Sequence, residues 1–125
     1  MIGILIITHE QLGGSLIDCV IHILGERPIL LHNHIVFPDA DPNAEVITLQ
    51  PVLRQLDEGD GVLILTDILG ATPANIASRL IQDGRIECLA GLNLPMLLRA
   101  VQYRHIPLPQ LIDKVLAGGR ESILS

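Results

Sequence analysis

Two short stretches, IGILII at residues 2–7 and VLILT at residues 62–66, carry no polar face. A strand with one side in water alternates apolar and polar residues. These do not alternate, so both sides must be covered, as in a parallel sheet packed between helices. That constraint organises the rest of the chain.

Helical spacing follows each strand. Gly13, Gly14 and Ser15 lead into LIDCVIHIL, where Leu16, Ile17, Val20, Ile21 and Leu24 recur on one face until Gly25 ends the helix. Ile29 to Phe37 reads as a second strand. PDADPNAE then breaks the chain and opens a helix with Asp41 as N-cap and Pro42 in its first position, and Pro51 further on predicts a kink or restart. DEGDG at residues 57–61 is a turn before the VLILT strand. The stretch LGATPANIASRLIQDG is expected to be a helix capped by Thr72, with Pro73 first and Gly84 beyond its end. IECLAG is a fourth strand, NLPMLLRAVQYRH and LPQLIDKVLAGG are two more helices, and the tail GRESILS is expected to add a short edge strand. With no linker, repeat or low-complexity tract, the expectation is a single domain over residues 1–125. The βαβαβαβαα alternation predicts an α/β, doubly wound, mainly parallel sheet with helices on both faces.

Composition narrows the partners. Eight basic against fourteen acidic residues give a formal charge of −6, and Phe37 and Tyr103 are the only aromatics. There is no basic stripe for phosphates and no stacking platform for bases, so nucleic acid is not expected as a partner. Direct carbohydrate recognition, which favours aromatic faces, is poorly supported, and a partner with a basic patch is weakly favoured. No apolar run approaches the roughly 18 residues of a membrane span. Nor does a basic segment precede the first apolar run, so a cytoplasmic location without a signal peptide is expected. Cys19 and Cys88 have no metal-ligand spacing and read as small buried hydrophobes.

In open parallel sheets, ligand sites lie beyond the carboxyl ends of the strands, where the strand order reverses. His9 and Asp67 end the two apolar strands. With the order 2-1-3-4 those strands are neighbours and the two side chains form a pair. A carboxylate on one imidazole nitrogen fixes the tautomer and leaves the other nitrogen as nucleophile or ligand. Helix starts after Gly13 and Gly14 and at Thr72 would bring unpaired N–H groups to the same place, which favours an anion such as phosphate. Thr8 can donate to that phosphate or satisfy backbone at the strand end. Neither GxGxxG nor GxxxxGK[ST] follows a strand, so no nucleotide or other cofactor is expected.

ILIITHEQLGGSL, GDGVLILTDILGATPANIASRL and GLNLPMLL together resemble the IIA components of the mannose family of sugar phosphotransferase systems, over nearly the whole chain. The resemblance implies that His9 receives a phosphoryl group from the phosphocarrier HPr and passes it to a IIB protein or domain, with Asp67 in support. It also implies a transferase with a phosphohistidine intermediate, often a homodimer, and peripheral at most to a membrane permease. The NLPML stretch at residues 93–97 separates the chain from the phosphocarrier subunit of dihydroxyacetone kinase. Two positions depart from the pattern: Glu10 stands where a glycine or small residue is common, and Ala71 replaces a frequent glycine.

Spacing alone does not distinguish a functional His9 from a loop histidine; the three motif blocks do. His32 and His34 form an HxH pair without a third ligand and read as surface residues of an edge strand, so no metal is expected. His22 in a helical pattern and His105 in a turn read as structural, and Met96, Leu97 and Ala100 as core or dimer contact. Two functions stay open: a phosphocarrier feeding a sugar permease, and a regulatory protein whose His9 phosphorylation state is read by another protein. A metal-dependent hydrolase is weakened by the absence of a second ligand cluster.

Overall fold

The computed structural model describes all residues, Met1–Ser125. Its elements run β1 (Gly3–His9), α1 (Leu12–Leu24), β2 (Leu31–Val36), α2 (Pro42–Leu56), β3 (Val62–Thr66), α3 (Thr72–Ser78), β4 (Ile86–Leu89), α4 (Leu94–Tyr103) and α5 (Leu108–Glu121). The four strands form one sheet in the order β2-β1-β3-β4, and every pairing is parallel. The continuous apolar runs explain this: β1 and β3 are the two central strands, with both faces covered.

The sheet divides its own residues by parity. Ile2, Ile4, Ile6, Leu63 and Leu65 pack on one face with Ile17 and Val20 of α1, Met96, Leu97 and Ala100 of α4, and Leu108, Leu111 and Val115 of α5. Leu5, Ile7, Val62 and Ile64 pack on the other with Leu49, Leu53 and Leu56 of α2 and Ile76 and Ala77 of α3. A one-residue slip of β1 would exchange these sets, so the packing fixes the register. In that register Ile7 pairs with Thr66 and His9 with Val36, which places the ends of β1 and β3 side by side.

Several local expectations are corrected. The α2 helix runs unbroken through Pro51; that residue and Ile47, whose carbonyl loses its partner, are both exposed, so water can replace the missing bond. Ala71, not Thr72, is the N-cap of α3, without a side-chain cap bond, and Pro73 is second in the helix. That helix stops at Ser78 because Arg79 and Leu80 bond back to Ile76 and Ala77 in a tightened last turn, and Leu80 tucks into the core. The tail forms no edge strand. Instead α5 continues through Gly118 and Gly119, where a Cβ would meet Arg99 Cγ at 2.5 Å and Met96 Cγ at 2.6 Å; the glycine pair marks close helix packing, not a helix end. Cys19 is exposed on the outer side of α1 and Cys88 is half-buried, where burial pushes its thiol up to about 11.

Arg104, which no sequence pattern singled out, is buried at the opposite end of the sheet from His9. Its guanidinium donates to the carbonyls of Ile2 (2.9 and 2.8 Å), Ile29 (2.6 Å) and Leu30 (2.7 Å). Leu30 has φ +48° and cannot continue the β1–β2 ladder, so the arginine bonds the carbonyls where the ladder stops.

Candidate functional site

His9 is the last residue of β1, and Asp67 immediately follows β3. Both are therefore mounted on buried strands rather than on mobile loops. Asp67 Oδ2 accepts from the His9 backbone N–H at 2.9 Å and lies 2.8 Å from His9 Nδ1, while Oδ1 accepts from the Ile68 N–H at 2.9 Å. An ionised carboxylate only accepts hydrogen bonds, so Nδ1 carries the proton and Nε2 the lone pair. The Asp67 side chain is 9 % exposed and that of His9 is 48 % exposed. Burial pushes the Asp67 carboxyl up, but the bonds from His9 backbone, His9 ring and Ile68 together outweigh it and hold the group below its ordinary range. The arrangement is an oriented imidazole with one free nitrogen at a solvent-facing edge.

The structure places the other expected phosphate contacts differently. Thr8 is fully buried, and its hydroxyl accepts from the Gly13 N–H at 2.9 Å. The Gly13 amide is thus used in the turn from β1 into α1, and Thr8, whose hydroxyl keeps its own proton to donate, is held beneath the solvent-facing edge by burial. Gly13 also has no room for a side chain: a Cβ there would clash with Asn33 Oδ1 and meet Ile6 Cγ2 at 2.8 Å. Gly14 leans toward Asn33 on β2, whereas Asp67 stands on the β3 side of His9. Thr72 is half-buried in the first turn of α3, on the sheet face opposite α1.

Sequence reasoning named Glu10 but missed three features of this edge: the backbone conformation of that residue, an exposed apolar patch and the lack of basic residues in the loops. Glu10, directly after His9, has φ +49°, and its N–H donates to Val36 O at 3.3 Å. Ile68 and Leu69 are 57 % and 82 % exposed in the loop after Asp67, and Phe37 is exposed in the loop after β2. Two large aliphatics in a loop beyond a strand end were the available signal, because loops there are ordinarily polar. Third, the loops that follow the four strands carry Glu10, Asp39, Asp41 and Asp67 but no lysine or arginine. The end of α5 brings Arg120 only to the β4 side, next to Gly91 and Asn93.

The HxH pair is engaged with neighbouring side chains of the fold. His34 Nε2 lies 2.6 Å from Glu45 Oε2 of α2. Burial, then the neighbouring charges of His34 and Arg27, holds His32 below its ordinary value. Both are half-buried rather than surface residues, because β2 is covered by α2 on that face. No three His, Cys, Asp or Glu side chains cluster as metal ligands, and no helix is long and apolar enough to cross a membrane.

Comparison with known proteins converges on one family. The EIIA-man family, described as PTS system fructose IIA component, matches residues 3–116. The fructose-specific EIIA component of Bacillus subtilis is 31 % identical over 98 % of this chain and 84 % of its own length. The mannose-specific EIIAB component of Escherichia coli K12 is also 31 % identical, and the chain spans 38 % of that longer protein. The crystal structure of an EIIA component from Streptococcus agalactiae superposes with a TM-score of 0.88 at 30 % identity, covering 100 % of this chain and 97 % of that one.

Proposed function

Because the chain belongs to the EIIA-man family of IIA components of the sugar phosphotransferase system, we propose that it is a phosphocarrier whose His9 accepts a phosphoryl group from phospho-HPr and delivers it to a IIB protein for sugar uptake. The observation that carries this reading is the pairing of His9 Nδ1 with Asp67 Oδ2 at 2.8 Å, which leaves Nε2 as the nucleophile. In the step, the Nε2 lone pair forms a bond to phosphorus as the nitrogen–phosphorus bond of the donor breaks. The proton stays on Nδ1, hydrogen-bonded to Asp67, whose negative charge stabilises the positive character that develops on the ring. Delivery to IIB is a second displacement, in which a nucleophile of IIB bonds to phosphorus as the Nε2–P bond breaks and the lone pair returns to Nε2.

The partners supply what this edge lacks. A travelling phosphoryl group needs positive charge around it, and the strand-following loops here provide none. A basic partner face meeting the acidic loops, with an apolar patch against Ile68, Leu69 and Phe37, fits both the charge and the exposed surface. Thr72 and Gly14 are the remaining candidates for contact with the phosphoryl oxygens, and assembly as a homodimer in the cytoplasm accompanies the role.

The test is incubation with the general phosphotransferase enzyme, HPr and phosphoenolpyruvate. One acid-labile phosphoryl group per chain is expected, and none on His9→Ala. Undiminished labelling of a folded His9→Ala protein would overturn the assignment.

A further inference from the structure

Glu10 is the acidic residue directly beside His9, and its side chain has no partner in the fold. Its φ of +49° lies in the left-handed region, where a glycine would be relaxed and a glutamate is strained. The bond from its N–H to Val36 O holds it there. Its side chain is exposed and takes part in none of the ion pairs of the protein. A strained backbone position has therefore been given a free charge immediately beside the reactive imidazole.

We infer that Glu10 tunes phosphoryl transfer: its carboxylate raises the free energy of the phosphorylated His9, so that the group is held loosely and released readily to an acceptor. The inference rests on His9 being the phosphorylated residue. Consecutive Cα atoms are about 3.8 Å apart, so the two side chains keep the carboxylate within roughly 13 Å of Nε2 in any rotamer. A dianionic phosphoryl group and a carboxylate about 8 Å apart in water repel enough for roughly a sixfold bias before screening, and about threefold at low salt. Asp67 plays a different part: three N–H groups hold its carboxylate against the ring, where its charge also stabilises the positive character of the phosphorylated imidazole. Asp39 and Asp41 lie in the loop after β2, with Asp41 occupied as the cap of α2, and Arg120 lies on the β4 side. When the phosphoryl group leaves, the Nε2–P bond breaks as the bond to the acceptor forms, and no proton moves at Nε2. Glu10 thus changes the equilibrium of the step without entering its chemistry.

The test compares wild type, Glu10→Gln and Glu10→Asp at equilibrium with a fixed ratio of phospho-HPr to HPr. At about 20 mM salt the Gln variant should hold roughly threefold more phosphoprotein relative to unphosphorylated protein, the Asp variant should match wild type, and the difference should vanish near 0.5 M salt. Equal ratios at low salt, or a difference that salt does not diminish, would overturn the inference while leaving His9 phosphorylation intact. A second measurement does not depend on HPr: His9 labelled chemically with phosphoramidate is titrated by phosphorus NMR. With Glu10→Gln its phosphoryl group should titrate about 0.3 pH units lower at low salt. If wild-type protein takes no phosphoryl from HPr, the phosphocarrier reading fails by itself, and an unmoved titration then rejects the role of Glu10 as well.

Discussion

Changing Asp67 to asparagine removes one charge, but its consequence follows from counting donors. Three N–H groups converge on the carboxylate: His9 backbone and Nδ1 on Oδ2, and Ile68 on Oδ1. An amide has a single oxygen. If that oxygen stays on His9, the NH2 group faces the Ile68 N–H, donor against donor, at a cost of about 1–3 kcal/mol that nearby water reduces. If the amide turns over, NH2 faces both His9 donors, Nδ1 must accept, and the proton moves to Nε2, which loses its lone pair. Only the first orientation reacts, and there the bond from Nδ1 is neutral and about half as strong as the charge-assisted one. Its deficit grows as the ring gains positive character. A loss of about 1.4–2.7 kcal/mol in the barrier slows transfer roughly 10- to 100-fold. Rapid-quench single turnovers from preformed phospho-HPr measure the rate, with circular dichroism and a thermal melt as controls for folding. A folded Asp67→Asn protein reacting within about twofold of wild type would refute the pairing mechanism, since neither amide orientation reproduces the carboxylate.

The same carboxyl gives a pH signature. Its folded value is depressed, so its contribution to stability is complete above about pH 4, near the unfolded value, and is lost as pH falls through the lower folded value; the melting-temperature gap between wild type and Asp67→Asn should narrow below that pH. Arg104→Met strands chiefly the buried Ile2 carbonyl, because Leu30 O keeps the Ile4 N–H and Ile29 is exposed; a loss of about 2–3 kcal/mol should lower the melting temperature by roughly 6–15 °C. Gly13→Ala should be destabilised by about 1–3 kcal/mol in denaturant titration although alanine favours helix, because its Cβ collides with Asn33 and Ile6. Transfer from preformed phospho-HPr should persist in EDTA, and a complete loss restored by one divalent metal would favour a metal-dependent mechanism instead.

The sheet was legible because burial on both faces leaves a one-dimensional trace. The runs at residues 2–7 and 62–66 had only one architecture open to them, and that architecture brought His9 next to Asp67 in the order 2-1-3-4. What escaped depends on partners distant in sequence. Thr8 reads as a surface phosphate donor, whereas its side chain is fully buried and takes the Gly13 N–H. Gly118 and Gly119 read as a helix end until Arg99 and Met96 are seen against them. Arg104 carries no periodic signal, since its three acceptors are backbone carbonyls, a group every residue possesses. Thr72 shows a different failure: Ala71 and Thr72 are adjacent, and capping preferences alone do not resolve helix ends to one residue.

The loops that follow the strands hold no lysine or arginine, whereas those at the other end mix both signs, and this difference bears on mechanism. The loops leading into β2, β4 and α5 hold Arg27, Arg79, Arg85 and Arg104, although the Arg79 guanidinium reaches back to donate to Asn43 in the first turn of α2. Several of these charges are occupied there: Arg85 with Asp57 at 2.7 Å, Arg104 with its three carbonyls, and the N-terminal amine with Asp60 at 2.7 Å. At the other end, Asp67 is consumed by orienting His9, while Glu10 has no countercharge within the chain. An imidazole mounted on a rigid strand is thereby nucleophilic, yet poorly provided to hold an anion by itself. A protein built to retain phosphate would place a lysine or arginine beside Nε2. One that hands the group from partner to partner gains from leaving that cation to the partner, because the phosphoryl group is then best stabilised only while a partner is docked.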